Sequence, residues 1–167
     1  PGTYSLFATS EEELVARDFI CFGQPDAVVV VTDATALERN LHLAFQIMEL
    51  TTRVILCINL IDEAEKKGIV VDRRAIEQEL GVPVVLTSAR SKLGLDELTT
   101  TLDQIINNNY PFDYQPLTYN EETERHIHQL LPLLANNYKN LNPRWLALRL
   151  IDGNESIYQS MNRYLSP

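Results

Sequence analysis

The stretch Val54-Ile-Leu-Cys-Ile58, followed at once by Asn59-Leu-Ile-Asp62, decides the fold of this chain. A run of apolar, largely β-branched residues of this length, ended by polar residues, predicts a strand buried on both faces of a parallel sheet. In open α/β sheets, ligands bind just beyond the carboxyl ends of the strands. We therefore expect Asn59 and Asp62 to lie where such a sheet binds its ligand.

Two further apolar runs, Ala27–Thr32 and Val82–Leu86, predict strands of the same kind, and helical patterns alternate with all three. Ser10 and Glu13 form a capping box at the start of the first helix. Strands that alternate with helices make right-handed crossovers, which predicts an α/β fold with a parallel sheet covered on both faces. The helices are expected over about Glu11–Phe22, Leu37–Leu50, Glu63–Lys67, Arg73–Leu80 and Leu93–Asn107.

A connector rich in asparagine and proline, residues 107–116, separates this pattern from a purely helical one. The charge changes at the same place, because 18 acidic and 9 basic residues precede Leu117 and 5 of each follow. We expect two domains, an α/β domain over residues 1–112 and a small all-α domain over residues 113–167. Helices of the second domain are expected over Glu121–Tyr138, Pro143–Ile151 and Ser156–Tyr164.

Composition excludes several classes of function. A net charge of −9 argues against a surface that binds nucleic acid, which needs a basic face. Cys21 and Cys57 fit neither a disulfide framework nor a metal site, which indicates a reducing, cytosolic compartment. His126 and His128, two residues apart on a predicted helix, point to different faces, so no metal site is predicted. No apolar run has the length needed to span a bilayer.

Two strand ends carry residues that suit a bound purine. An ionised carboxylate at Asp62 can accept two parallel hydrogen bonds from the ring N–H and the amine of guanine, and adenine cannot supply that pair of donors. Asn59 can brace neighbouring loops. Ser88-Ala89 follows the next strand, where the Ala89 N–H can donate to the guanine O6. The Pro1-Gly2 turn offers a backbone N–H to a phosphate.

At these motifs the sequence resembles the FeoB-type ferrous iron transporters. Pro1-Gly2-Thr3-Tyr4-Ser5-Leu6 with Glu12-Glu13-x-x-Ala16-Arg17-Asp18 is similar to the third G-box of that family and its following helix. Asn59-Leu60-Ile61-Asp62 and the residues up to Ile69 resemble the fourth G-box, and Thr87-Ser88-Ala89 the fifth. Arg144-Trp145 and the residues up to Gly153 resemble the helical domain that follows the G domain.

The resemblance implies the C-terminal part of a Ras-like P-loop GTPase domain, followed by a helical domain. In that family the cytosolic G domain binds GTP and GDP, hydrolyses GTP slowly, and precedes a membrane domain that carries Fe²⁺. The expected partners are therefore guanine nucleotide and the transmembrane domain of the same protein, at the cytoplasmic face of the inner membrane. Self-association is left open, and this portion alone is expected to be soluble.

The same resemblance assigns roles to individual residues. Asp62 reads guanine, and Asn59 supports the base pocket. Leu60, between them, is among the residues expected to bind nucleotide. The fifth box consists of Thr87, Ser88 and Ala89. Pro1 and Gly2 form the turn at which Gly2 contacts the γ-phosphate.

The sequence also departs from the family pattern. It contains no G-x-x-x-x-G-K-[ST] phosphate loop, no first switch and no acidic residue two positions before Pro1-Gly2. Phosphate and Mg²⁺ contacts supply most of the affinity and the catalysis of such a site. We therefore expect upstream strands to have been lost, the Mg²⁺ ligands to lie outside this chain, and the polypeptide to hold no catalytic residue and to bind nucleotide weakly.

Two other interpretations stay open at this point. One is a non-catalytic interaction module whose helical part docks on a membrane domain or another subunit. The other is a different Ras-like GTPase, such as a tRNA-modifying or ribosome-assembly factor, although the acidic charge and the Arg144-Trp145 segment count against it.

Overall fold

The computed structural model of the chain describes residue 6, residues 10–139 and residues 141–165. The chain divides into two compact units. The sheet unit is Pro25–Gln115, and the helical unit combines Pro1–Gln24 with Pro116–Pro167. In chain order the elements are α1 (Glu11–Gly23), β1 (Val28–Asp33), a 3₁₀ turn (Ala34–Ala36), α2 (Leu37–Leu50), β2 (Val54–Asn59), α3 (Ile61–Lys66), α4 (Arg73–Leu80), β3 (Val84–Leu86), α5 (Leu95–Ile106), α6 (Glu121–Asn137), α7 (Pro143–Ile151) and α8 (Glu155–Leu165).

The three strands form one parallel sheet in the order β1-β2-β3. The central strand β2 is buried over its first five residues, as its β-branched run predicts. Ile55 packs with Val85 and Ile105 in a fully buried apolar cluster. Each such side chain contributes about 1.5–3 kcal/mol by leaving water. The predicted parallel α/β fold, with helices around the sheet and a helical domain after it, is confirmed.

The helix caps agree with the residues that predict them. The Ser10 hydroxyl accepts the Glu13 N–H at 3.3 Å, and the Asp72 carboxylate accepts the Ala75 N–H at 3.1 Å. Strand β3 starts at Val84, two residues later than expected. Pro83 has no N–H to donate to a neighbouring strand, which accounts for the shorter ladder.

In the helical unit, an ion pair joins α6 to the start of α7. The Arg144 guanidinium donates to Glu124 at 2.6 and 2.9 Å and to the Leu117 carbonyl oxygen at 2.7 Å. The Arg144 hydrogen bonds, with a further one from the Tyr119 N–H, lower the pKa of Glu124 to about 2. Trp145, the residue after Arg144, is buried.

A second polar cluster in the helical unit joins α1 to α8. Arg17, only 2% exposed, donates to Asp18 Oδ1 at 2.6 Å and to Ser160 Oγ at 2.7 Å. Ser160 Oγ in turn donates to Asp18 Oδ2 at 2.7 Å, and Arg17 also donates to Ser156 Oγ at 2.6 Å. The guanidinium fork and the carboxylate therefore satisfy one another inside the unit, which is the condition for burying such a pair.

Two negative findings apply to the part of the chain that the structure describes. No helix there is both long enough and apolar enough to cross a membrane. No group of three or more His, Cys, Asp or Glu side chains there is arranged to hold a metal ion.

Candidate functional site

The polar ends of β2 and β3 meet at one edge of the sheet. Thr87, directly after β3, donates its N–H to the Ile58 carbonyl oxygen at 2.8 Å. Its own carbonyl oxygen accepts the Ile61 N–H at 3.2 Å. These two backbone hydrogen bonds extend the parallel pairing past the last strand residues, so the segment after β2 and the segment after β3 are held together.

Asn59, the last residue of β2, joins the two segments through its side chain. Its Oδ1 accepts the Thr87 hydroxyl at 3.2 Å and the Ala89 N–H at 3.1 Å. The amide thus braces the neighbouring loop, as the sequence suggested. The Ala89 N–H, which the sequence offers to a guanine O6, is engaged by Asn59 in this structure.

Leu60 turns the chain from β2 into α3. It adopts the left-handed conformation, with φ 62° and ψ 33°, and lies at the N-cap of α3. Its carbonyl oxygen accepts the N–H groups of Glu63 and Ala64, each at 3.0 Å. A residue with a β-carbon gives up about 1–2 kcal/mol to adopt this conformation. The turn leaves the Leu60 side chain 38% exposed and places Asp62 in the first turn of α3.

Asp62 and Ser88 are neighbouring polar side chains of the site. Asp62 Oδ1 and Ser88 Oγ are both buried, and neither has a partner in hydrogen-bonding geometry among the described residues. The adjacent Ser88 hydroxyl is the largest cause that lowers the pKa of Asp62, with smaller contributions from Lys66 and Arg90. Asp62 is therefore ionised at neutral pH and accepts hydrogen bonds only. Buried polar atoms without partners are rare in folded proteins, and water or a ligand commonly satisfies them.

The segment after β3 is closed into a tight loop. The N–H of Ser88 donates to the Leu93 carbonyl oxygen at 3.1 Å, and the Leu93 N–H donates back at 3.2 Å. Gly94 follows with φ +75°, and a β-carbon there would overlap the Leu86 carbonyl oxygen. Sequence reasoning missed Gly94 as a residue that shapes the site. The signal was a glycine one residue before a helix and six residues after Ser88.

The structure thus brings six of the eight predicted site residues to one edge of the sheet unit. The other two, Pro1 and Gly2, lie outside the described residues, so their predicted phosphate contact stays a prediction. The six are Asn59, Leu60, Asp62, Thr87, Ser88 and Ala89.

Two family models match the chain and together cover most of it. Residues 1–102 match the model described as ferrous iron transport protein B, and residues 119–166 match the FeoB cytosolic helical domain. This chain belongs to the FeoB family. The resemblance seen in the sequence motifs is therefore confirmed, in the sheet unit as well as in the helices that follow it. The boundary between residues 112 and 113 stays a prediction.

Curated FeoB relatives show the same match along the chain. The Fe(2+) transporter FeoB of Helicobacter pylori strain J99 is 43% identical over 116 residues, which are 65% of this chain and 18% of that protein. A Fe(2+) transport protein A/FeoB fusion protein of Porphyromonas gingivalis is 35% identical over 171 residues, which are 99% of this chain and 20% of that protein. The chain spans about a fifth of the length of these FeoB relatives.

Solved FeoB structures share the fold. The cytosolic domain of the T. maritima FeoB iron transporter in a GDP form superposes with a TM-score of 0.86 and 34% identity, over 100% of this chain and 65% of that one. A mutant of S. thermophilus NFeoB bound to GMPPNP gives a TM-score of 0.82 and 31% identity, over 95% and 62%. This homology identifies the chain as part of a FeoB cytosolic domain.

Proposed function

We propose that the edge formed by the ends of β2 and β3 binds the guanine base of GTP and GDP. The observation that carries this proposal is the ionised Asp62 carboxylate, whose buried Oδ1 has no partner in hydrogen-bonding geometry among the described residues. An ionised carboxylate with free lone pairs accepts the ring N–H and the amine of guanine, whereas the corresponding edge of adenine presents an acceptor.

The surrounding residues complete the base site. When the base binds, the Ala89 N–H donates to the guanine O6 instead of to Asn59 Oδ1. Asn59 still accepts the hydrogen bond from the Thr87 hydroxyl. Leu60 offers an exposed apolar side chain to the face of the ring. The site is then specific for guanine through one carboxylate and one backbone N–H, both held by the backbone pairing of the two segments.

We infer that the phosphates and Mg²⁺ are bound mainly by residues that this chain does not contain, with Gly2 contacting the γ-phosphate. The chain has no Walker A sequence, and a phosphate loop supplies the cradle and the Mg²⁺-binding hydroxyl. GTP hydrolysis, slow in the intact protein, therefore requires the longer polypeptide, and the 167 residues alone are inactive. In the intact protein the nucleotide state regulates ferrous iron transport from the cytoplasmic face of the inner membrane.

The test is base selectivity in the full-length protein. Titration of a fluorescent GDP analogue against Asp62→Asn is expected to show roughly 100-fold weaker binding, because the amide keeps one acceptor but sets its NH2 group against the second donor of guanine. The asparagine amide instead donates to the second carbonyl oxygen of xanthine, so affinity for xanthosine diphosphate rises. Asp103→Asn, at an exposed position of α5, is the control and leaves both affinities unchanged.

Two outcomes overturn this assignment. Unchanged GDP affinity in Asp62→Asn, with no gain for xanthosine diphosphate, removes Asp62 from the site. Failure of the unsubstituted full-length protein to bind either GDP or GTP favours the alternative of a non-catalytic interaction module.

A further inference from the structure

The turn between α3 and α4, residues 67–72, presents apolar side chains to solvent. Val70 is 92% exposed and Ile69 is 37% exposed, although both are β-branched residues that usually pack inside. Gly68 takes φ +71°, and no described heavy atom outside its neighbours comes within 4 Å of the position of a β-carbon there. The turn therefore projects from the sheet unit with an apolar tip.

Cations flank this tip in a chain that is otherwise acidic. Residues 66–74 contain four cations and one carboxylate, against a net charge of −9 for the whole chain. The carboxylate, Asp72, accepts the N–H of Ala75 at 3.1 Å, so it is committed to capping α4. The local charge is thus opposite to that of the chain as a whole.

Two of the four cations are neutralised by neighbours. Lys66 pairs with Glu63 at 2.9 Å, and Arg73 pairs with Glu77 at 3.1 Å and with Glu97. Lys67 and Arg74 are exposed, and no carboxylate pairs with either of them in the part of the chain that the structure describes. These two charges are free to meet an external anion.

Both free cations are within reach of the apolar tip. Lys67 lies three residues before Val70 and Arg74 lies four residues after it. Their Cα atoms are therefore at most about 11 and 14 Å from that of Val70, since a chain extends by no more than about 3.6 Å per residue. An apolar tip between two long cationic side chains can insert between lipid headgroups while the cations meet their phosphates.

We propose that the α3–α4 turn docks on anionic lipid headgroups of a membrane surface, through Val70, Lys67 and Arg74. The acidic remainder of the chain is repelled by the same surface, which orients the turn towards it. FeoB proteins are ferrous iron transporters, so a membrane is close to this domain in the intact protein. The contact goes beyond the proposed nucleotide site, because it involves none of the six residues at the base edge.

The experiment is sedimentation of the 167-residue chain with vesicles of phosphatidylcholine that contain roughly 40% phosphatidylglycerol, at low ionic strength. We expect binding to these vesicles and none to pure phosphatidylcholine. Lys67→Glu/Arg74→Glu is expected to weaken vesicle binding roughly tenfold or more. Arg125→Glu/Lys139→Glu changes the net charge by the same amount at exposed positions of the helical unit. This control variant is expected to lose clearly less vesicle binding than Lys67→Glu/Arg74→Glu.

The apolar tip is tested separately by Val70→Ser, with Leu133→Ser as the control at an exposed position of α6. Only Val70→Ser is expected to weaken binding. Absence of vesicle binding by the unsubstituted chain overturns the proposal, and a contact of this turn with a protein surface then becomes the alternative to examine. Equal losses in the two double-charge variants overturn it as well, because binding would then follow net charge alone.

Discussion

Asn59 Oδ1 accepts the backbone N–H of Ala89 at 3.1 Å, across 30 residues of chain. The same oxygen accepts the Thr87 hydroxyl, so one amide holds the first three residues after β3 against the end of β2. The base site is therefore held in shape by a side chain of the central strand before any ligand enters it, and the position of the Ala89 N–H depends on Asn59.

Replacing Asn59 tests this dependence. Asn59→Ala removes the acceptor of the Ala89 N–H, and a hydrogen bond of this kind contributes about 1 kcal/mol. We expect the amide of Ala89 to exchange roughly fivefold faster with solvent deuterium, measured by NMR. Asn40→Ala, which removes the side-chain hydrogen bond from Asn40 of α2 to the Ala36 carbonyl oxygen, is the control. An unchanged exchange rate at Ala89 would show that the loop after β3 keeps its conformation without Asn59.

Because Gly94 lies so close to Leu86, replacing this glycine is expected to lower the stability of the fold. Gly94→Ala combines a left-handed conformation with overlap of the Leu86 carbonyl oxygen, and Gly68→Ala has the conformation without the overlap. We expect Gly68→Ala to lower the free energy of unfolding by about 1 kcal/mol and Gly94→Ala by at least twice that. Urea unfolding measures both. Equal losses of unfolding free energy in the two variants would mean that the loop after β3 shifts to accommodate the new β-carbon at no further cost in stability.

The Glu124–Arg144 pair makes stability depend on pH. The pKa of Glu124 is about 2 in the folded chain, below its ordinary value of 4.5. The ionised carboxylate therefore stabilises the fold above about pH 4.5, and this contribution is lost as the pH falls from 4.5 towards 2. Glu124→Gln is expected to lower the melting temperature at pH 7, and the difference from the unsubstituted chain shrinks below pH 4.5.

The control for this pH series is Glu122→Gln, an exposed neighbour on α6. Its melting temperature is expected to equal that of the unsubstituted chain at every pH. If the effect of Glu124→Gln stays constant down to pH 2.5, the carboxylate contributes through its shape and not through its charge.

The buried Arg17 and Asp18 are expected to behave as a unit. Arg17→Ala leaves Asp18 as a buried charge without its counter-ion, which costs about 3–5 kcal/mol. Arg17→Ala/Asp18→Ala leaves no unpaired charge, so its cost is expected to be smaller than the sum of the two single changes. Arg125→Ala, at an exposed position, is expected to change the free energy of unfolding by no more than about 0.5 kcal/mol. Additive costs in the double variant would contradict the pairing.

Local chemistry made much of the fold predictable. The β-branched run of β2 and the capping residue Ser10 each decide their structure within a few residues, and each lies where the sequence places it. The strand ends were predictable for the same reason, because polar residues stop an apolar run. The sequence therefore predicts correctly that Asn59, Asp62 and Ser88 lie at one edge of the sheet.

The features that escaped prediction depend on contacts between distant segments. The Arg17–Ser160 hydrogen bond joins residues 143 apart, and no local pattern announces it. The Ala89 N–H is occupied by Asn59 because β2 and β3 are neighbours in register, which the separate runs do not specify. The left-handed Leu60 was also missed, since an apolar residue is rare in that conformation and the surrounding turn imposes it.

The hydrogen bond between Arg17 and Ser160 also has a consequence for biosynthesis. Helix α1 is made before the sheet unit, and α8 emerges from the ribosome only after the entire sheet unit has been made. At ordinary rates of translation this delay is on the order of 10 s. The sheet unit therefore has time to fold first, while the apolar face of α1 waits for its partner and remains open to chaperones and proteases.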